Sequence, residues 1–207
     1  MMELDVRYHT ASVFLNIGIA GVGVFAAVSL CEQYRIAALS SSKQKKYFVL
    51  FLVACSLGFC CTWSMHASGF ASIKLYMGET EVPVRFNVGI MIIAAFQSVL
   101  QAFVGLYIAS KDDCFNNSRS EIMEKFISRA RTTYTMEEIR KMSKVRILFI
   151  VLTHSLGYLN FGGLFGGLSI PIMHYLMVHS MKFQGTIEYN PGVVVASFLF
   201  AMLNGTG

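Results

Sequence analysis

Five stretches of the chain run for about 20 residues or more without a Lys, Arg, Asp or Glu: Tyr8–Cys31, Tyr47–Ile73, Phe86–Ser110, Ile147–Met181 and Tyr189–Gly207. A helix needs roughly 20 mostly apolar residues to cross the hydrocarbon core of a bilayer. Of the 207 residues, 55% are hydrophobic and 14% charged, against about a quarter charged in soluble domains. With 17 Phe, 9 Tyr and 3 Pro, the chain is not disordered either. The expected fold is an all-α integral membrane protein, a bundle of about five transmembrane helices in which a first helix precedes two repeated helix pairs. Residues 1–12 carry Glu3, Asp5 and Arg7 and so lack the basic start of a signal peptide. Ser12–Cys31 therefore reads as a true first span. The fifth window is the shortest and opens near Pro191.

Basic residues give an orientation. The loop after the first window holds Arg35, Lys43, Lys45 and Lys46, and residues 111–146 hold nine more, so two loops contain 13 of the 17 basic residues. The positive-inside rule places both loops in the cytoplasm and the N-terminus outside. The net charge of +5 then reflects cytoplasmic anchoring, aided by anionic lipid, and calls for no nucleic acid. Within the basic 111–146 loop, Ile122, Phe126 and Ile127, and again Ile139, Met142 and Val145, keep helical spacing. A solvated linker near the headgroups and a partner-docking surface both fit that pattern.

The fourth window is 35 residues long, about 50 Å as one helix, against a bilayer core of roughly 30 Å. Gly157, Gly162, Gly163, Gly166, Gly167 and Pro171 supply places to bend. The alternative is two crossings joined near Gly162-Gly163.

The second and fourth windows end alike. Gly58 stands seven positions before Met65-His66, and Gly166 seven before Met173-His174. Each pair is followed by a short loop, an aromatic-Asn step (Phe86-Asn87, Tyr189-Asn190) and another apolar run. A two-helix unit is thus used twice, with both Met-His pairs at the extracellular helix ends. Histidine within a membrane is costly and suggests function by default. Thioether sulfur is a soft ligand suited to Cu(I), and imidazole suits Cu, Zn or Fe. Met173 and Met177 are i, i+4 on one face, with His174 beside them. Packing of the second and fourth spans would bring both pairs into one outward-facing site. Met also fills core gaps, so packing alone is the competing account of each pair.

Trp63-Ser64-Met65-His66-x-x-Gly69-Phe70 and Ile172-Met173-His174-Tyr175 resemble the motifs of the MHYT domain family. That family comprises integral membrane domains regarded as sensors, with seven expected spans and three motif repeats near the outer face. The resemblance implies a plasma-membrane sensor in which Met65, His66, Met173, His174, Tyr175 and Met177 hold a copper ion. It further implies a diatomic gas ligand such as oxygen, CO or NO, and a cytoplasmic signalling partner. The first repeat departs from the family at Ala67-Ser68, and the second continues Leu176-Met177 in place of Thr-Gly. No third motif follows, so residues 1–207 read as a single MHYT-like domain incomplete at its C-terminus.

His154 and His179 lie off the face of His174 and are weaker ligand candidates, and His9, just outside the first span, is a weaker candidate to cap an external site; Cys60-Cys61 lies below His66 as a supporting soft donor. The five cysteines show no zinc spacing. Cys31, at the cytoplasmic end of its window, suits palmitoylation. Asn116-Asn-Ser118 fits a glycosylation sequon on the wrong side of the membrane for use. No hydrolase constellation is present, and an enzyme is not expected. Two rival readings stand beside the sensor: a structural or assembly membrane protein without metal, and a small transporter.

Overall fold

The structure is a computed structural model that describes residues 5–38, 42–112, 157–183, 185 and 187–205. Four helical passages, Thr10–Ala38, Lys43–Ala71, Val88–Ala109 and Gly157–Ser180, are long and apolar enough to cross a membrane, and a shorter apolar helix follows over Pro191–Leu203. The first passage is α1 (Thr10–Ala38). It runs past the window's end at Cys31 for almost two turns, and there Arg35 pairs with Glu32 at 3.2 Å. Charges at a helix end reach headgroups and water, so the apolar window marks the membrane core rather than the helix.

The second passage is a continuous rod of three parts: α2 (Lys43–Cys55), a π-helical segment (Ser56–Trp63) and α3 (Ser64–Ala71). Ser42 caps its start, accepting from the Lys45 N–H. Within the widened turns, the Thr62 hydroxyl donates to the Leu57 carbonyl at 2.9 Å and the Ser64 hydroxyl to the Phe59 carbonyl at 2.8 Å, each five residues back. Side-chain hydroxyls thus reinforce the i→i+5 pattern that defines such a segment.

The third passage is α4 (Val88–Ala109). The fourth is α5 (Gly157–Gly167) and α6 (Ser169–Ser180), interrupted at Leu168. The expected bend falls there, between Gly166-Gly167 and Pro171. Pro171 has no N–H to offer the carbonyl four residues back. Gly162 and Gly163 lie inside α5, so the double-crossing alternative does not hold. The last helix is α7 (Pro191–Gly205). The residues 122–127 and 139–145 of the basic loop, with His154, Cys114 and Asn116, lie outside the described residues.

The chain is mostly helical as expected, and two small sheets are added to the helices. β1 (Asp5–Tyr8), β2 (Ile73–Met77) and β3 (Thr80–Val82) form an antiparallel sheet with the order β1-β2-β3. β4 (Arg85–Phe86) pairs with β5 (Met181–Lys182). β2 and β3 join through a two-residue turn in which Gly78 has φ +66°, as a type II′ turn demands at its first central position. Outside the core nothing satisfies the backbone groups of α3's exit and the N-terminal entry except each other or water, and pairing them closes that end of the bundle.

Many of the residues buried inside the bundle are small. Ala27, Ala54, Ala94, Ala95 and Ala109 are at most 9% exposed, whereas Phe14, Phe25, Phe96 and Phe200 are at least 70% exposed. Helices in lipid gain little from hiding large apolar groups from one another, so close backbone approach and interhelical hydrogen bonds hold them. Glycines at three helix contacts make the approach. A Cβ on Gly23 of α1 would lie 2.8 Å from Cys61, one on Gly58 would lie 2.7 Å from Val99 of α4, and one on Gly105 would lie 2.7 Å from the Gly162 carbonyl of α5. The Ser56 hydroxyl donates to the Gly23 carbonyl at 3.0 Å, and that of Ser98 to the Gly58 carbonyl at 2.8 Å. At the far end Asp112 accepts the Leu159 N–H at 3.2 Å, capping the first turn of α5.

Gly162→Ala places a methyl against the carbonyl of Gly105 and the backbone of Ala109. Thermal unfolding in detergent should register a loss of about 1–3 kcal/mol. Gly18 has nothing within 4 Å of an added Cβ, so Gly18→Ala should leave stability unchanged or raise it by about 0.5–1 kcal/mol.

Candidate functional site at the sheet end

The two repeated units meet where the sheets lie. Asn87 and Asn190 play the same part in each. The Asn87 side chain accepts from the Gly89 N–H at 3.0 Å to start α4, and that of Asn190 accepts from the Gly192 N–H at 2.9 Å to start α7. The aromatic-Asn step is therefore a helix N-cap. Glycine follows two positions later in both, where an added Cβ would come within 3.3 Å of the Asn87 oxygen and 3.2 Å of the Asn190 oxygen. Between the caps, the Asn87 N–H bonds the Ser180 carbonyl at 2.8 Å, tying the head of α4 to the foot of α6.

This stitching brings α3 and α6 together at their histidines. The His66 and His174 ring centroids are 5.6 Å apart and the rings nearly perpendicular at 73°. Two imidazoles whose nitrogens each stand about 2 Å from a shared ion have centroids roughly 5–6 Å apart. Nδ1 of His66 lies 2.9 Å from the Thr62 carbonyl. Only a protonated nitrogen can donate to a carbonyl, so a neutral His66 carries its proton on Nδ1 and its lone pair on Nε2. Carbonyl anchoring of the other nitrogen is the usual support of a metal-binding imidazole. Phe70, one turn beyond His66, packs its ring 5.5 Å from that of His174.

The other expected site residues fall elsewhere. Met173 and Met177 are fully buried and form a core cluster with Phe70 and Ala94, against which Trp63, Met91 and Phe86 pack. The indole N–H of Trp63 donates to the Met91 carbonyl at 3.0 Å, fixing α4 against the π segment. Met65 is half-buried on α3, and its carbonyl accepts from the Ser68 hydroxyl at 3.2 Å. Ser68 also bonds Asn16 of α1. Tyr175 touches His174 with ring centroids 5.3 Å apart, but its hydroxyl reaches the Ser197 hydroxyl of α7 at 3.1 Å. Tyr175 also stacks parallel to Phe198 at 5.9 Å and meets Tyr189 at 5.7 Å.

Cys61 backs onto Gly23 of α1, and Cys60 is exposed. His9 and His179 are exposed as well. Among the described residues no group of three or more His, Cys, Asp and Glu side chains gathers to hold a metal. Sequence reasoning passed over Phe70 and Thr62. Phe70 stood inside the first motif, one helical turn past His66, and that spacing was the available signal.

Two helical passages able to cross a membrane, each carrying a Met-His pair and followed by an Asn-capped helix, are thus defined, and the second has a known counterpart. Residues 167–206 match the MHYT family, described as a bacterial signalling protein N-terminal repeat. The matched stretch runs from the last residue of α5 through His174 and the Asn190 cap into α7. No curated protein and no solved structure matches the chain.

Met173 and Met177 sit in a closed apolar layer. Single substitution of either by Leu, which conserves volume, should cost less than about 1.5 kcal/mol in thermal unfolding. Met173→Ala should cost about 2–5 kcal/mol.

Proposed function

We propose that this chain is a membrane-embedded signalling domain whose sensing element is the His66–His174 pair, facing the outside of the plasma membrane, and that the pair holds a copper ion. The observation that carries this reading is the 5.6 Å approach of two rings from two separate spans. Sequence places them 108 positions apart, in matching places of a repeated unit. The donor set fits a soft ion: two imidazoles, with the sulfur of Met65 next in sequence to His66, and no carboxylate in α3 or α6. Copper(I) bound there would supply a site for a diatomic gas such as oxygen, CO or NO.

The protein's own part is positional. Thr62 orients the His66 imidazole. Phe70 and the methionine layer exclude water from one side of the ring pair. Tyr175 connects His174 to α7 through Ser197. A change in how α3 and α6 meet would thereby reach α7 and the helix ends on the opposite membrane face, where a signalling partner reads it. The charge distribution supports the orientation. Arg35, Lys43, Lys45, Lys46 and Lys111 mark the end remote from the sheets, whereas at the sheet end Arg7, Lys74, Arg85 and Lys182 are matched by four acidic residues, Asp5, Glu79, Glu81 and Glu188.

Metal analysis of the purified protein after anaerobic loading with Cu(I) tests the reading. Wild type should retain about one copper per chain, and His66→Ala and His174→Ala should each lose it. Tyr175→Phe should keep the metal. A wild type without stoichiometric copper, or histidine variants that both retain it, would leave a structural role as the better account.

A further inference from the structure

The opposite end of the bundle carries a second arrangement that the histidine site does not use. Lys46 of α2 places its ammonium 5.4 Å from the ring centroid of Tyr34, which is fully buried. Lys111, just past α4, sits 4.8 Å over the ring of Tyr107. Tyr107 in turn meets Tyr47 at 6.1 Å, across the α2–α4 contact. The two lysines are thus held by aromatic faces on either side of an exposed tyrosine pair. Ion pairs among the described residues involve Arg7, Arg35 and Lys74. Lys43, Lys45, Lys46 and Lys111 have no carboxylate partner among those residues. Lys43, Lys45 and Lys46 also crowd the first turn of α2, which holds no acidic residue, although a helix N-terminus is itself partially positive. The acidic residues described at this end, Glu32 and Asp112, are engaged by Arg35 and by the Leu159 N–H, which leaves the lysine patch electropositive.

Below it the surface turns apolar. Phe48 is 61% exposed and Phe51 47% exposed, and Phe51 meets Phe103 of α4 at 6.3 Å. Cation and phenol at the end of the spans, with an exposed aromatic face running inward from them, match a headgroup followed by its acyl chain. We infer that Lys46, Tyr47, Tyr107 and Lys111 bind the phosphodiester headgroup of an anionic phospholipid, with its chain along Phe51 and Phe103. Ammonium groups neutralise the phosphate and the phenols donate to its oxygens. The apolar half of the surface selects a lipid over free phosphate. The site is separate from the histidine pair and does not depend on metal.

The full chain in detergent, titrated with phosphatidylglycerol, tests this. Phosphatidylglycerol should be retained through size exclusion and should raise the unfolding midpoint saturably. Phosphatidylcholine and inorganic phosphate at equal concentration should not. Lys46→Gln and Lys111→Gln should each weaken the affinity about fivefold. Lys182→Gln at the sheet end should leave it unchanged, and the charge-preserving double variant Lys46→Arg/Lys111→Arg should keep it. An undiminished effect in the double Gln variant would overturn the inference. So would an equal effect from phosphatidylcholine or inorganic phosphate, or loss in the Arg variant as well.

Discussion

Two serine hydroxyls bonded to two glycine carbonyls hold the second span in place, and the rest of the bundle is arranged around it. Ser56 reaches Gly23 on one side and Ser98 reaches Gly58 on the other. At both points the missing side chain lets one backbone lie against the next. In water such contacts would be minor beside the burial of large apolar groups. In lipid they are among the few forces that distinguish one helix neighbour from another. Phe25 and Phe96 face outward for the same reason: the surrounding acyl chains suit them as well as a core would.

The histidine site depends on that arrangement. His66 rides on α3, which continues directly from the segment clamped by Ser56 and Ser98. His174 rides on α6, which is fixed to α4 by the bond from Asn87 to Ser180 and by the layer of Met173 and Met177 against Ala94. α4 is therefore the common reference for both rings. Trp63 adds a third tie through Met91. The methionines, attractive as ligands in the sequence, are the packing that brings the two helices to one register.

The spans were legible because a membrane allows few alternatives: an uncharged run of such length has to be a helix. The bend in the fourth passage was also readable, since Gly166, Gly167 and Pro171 stand where the helix breaks at Leu168. The repeat told where the histidines would meet, because equivalent positions in paired units end at the same depth. It also marked Asn87 and Asn190, although their role as caps needed the structure. The small sheets were hidden. Ile73–Met77 reads as a loop, since its pairing to Asp5–Tyr8 spans most of the first two passages in sequence. The π segment left no compositional trace either. Nor could periodicity separate Met173 as core from Met173 as ligand, because both uses place it on an inward face.

The widened turns of Ser56–Trp63 bear on how this protein can change over time. A wide turn absorbs residues that a regular helix would have carried further round its axis. Each residue absorbed sets later positions back by on the order of 100° relative to an unbroken α-helix from Lys43. His66 meets His174 only with that offset included. The spacing between Lys43 and His66 is therefore a matter of phase as well as length. A lineage that gained or lost a single codon in the regular turns of Lys43–Cys55, with the wide turns kept, would retain its span, its hydropathy and its Met-His motif, yet turn the imidazole toward a different neighbour.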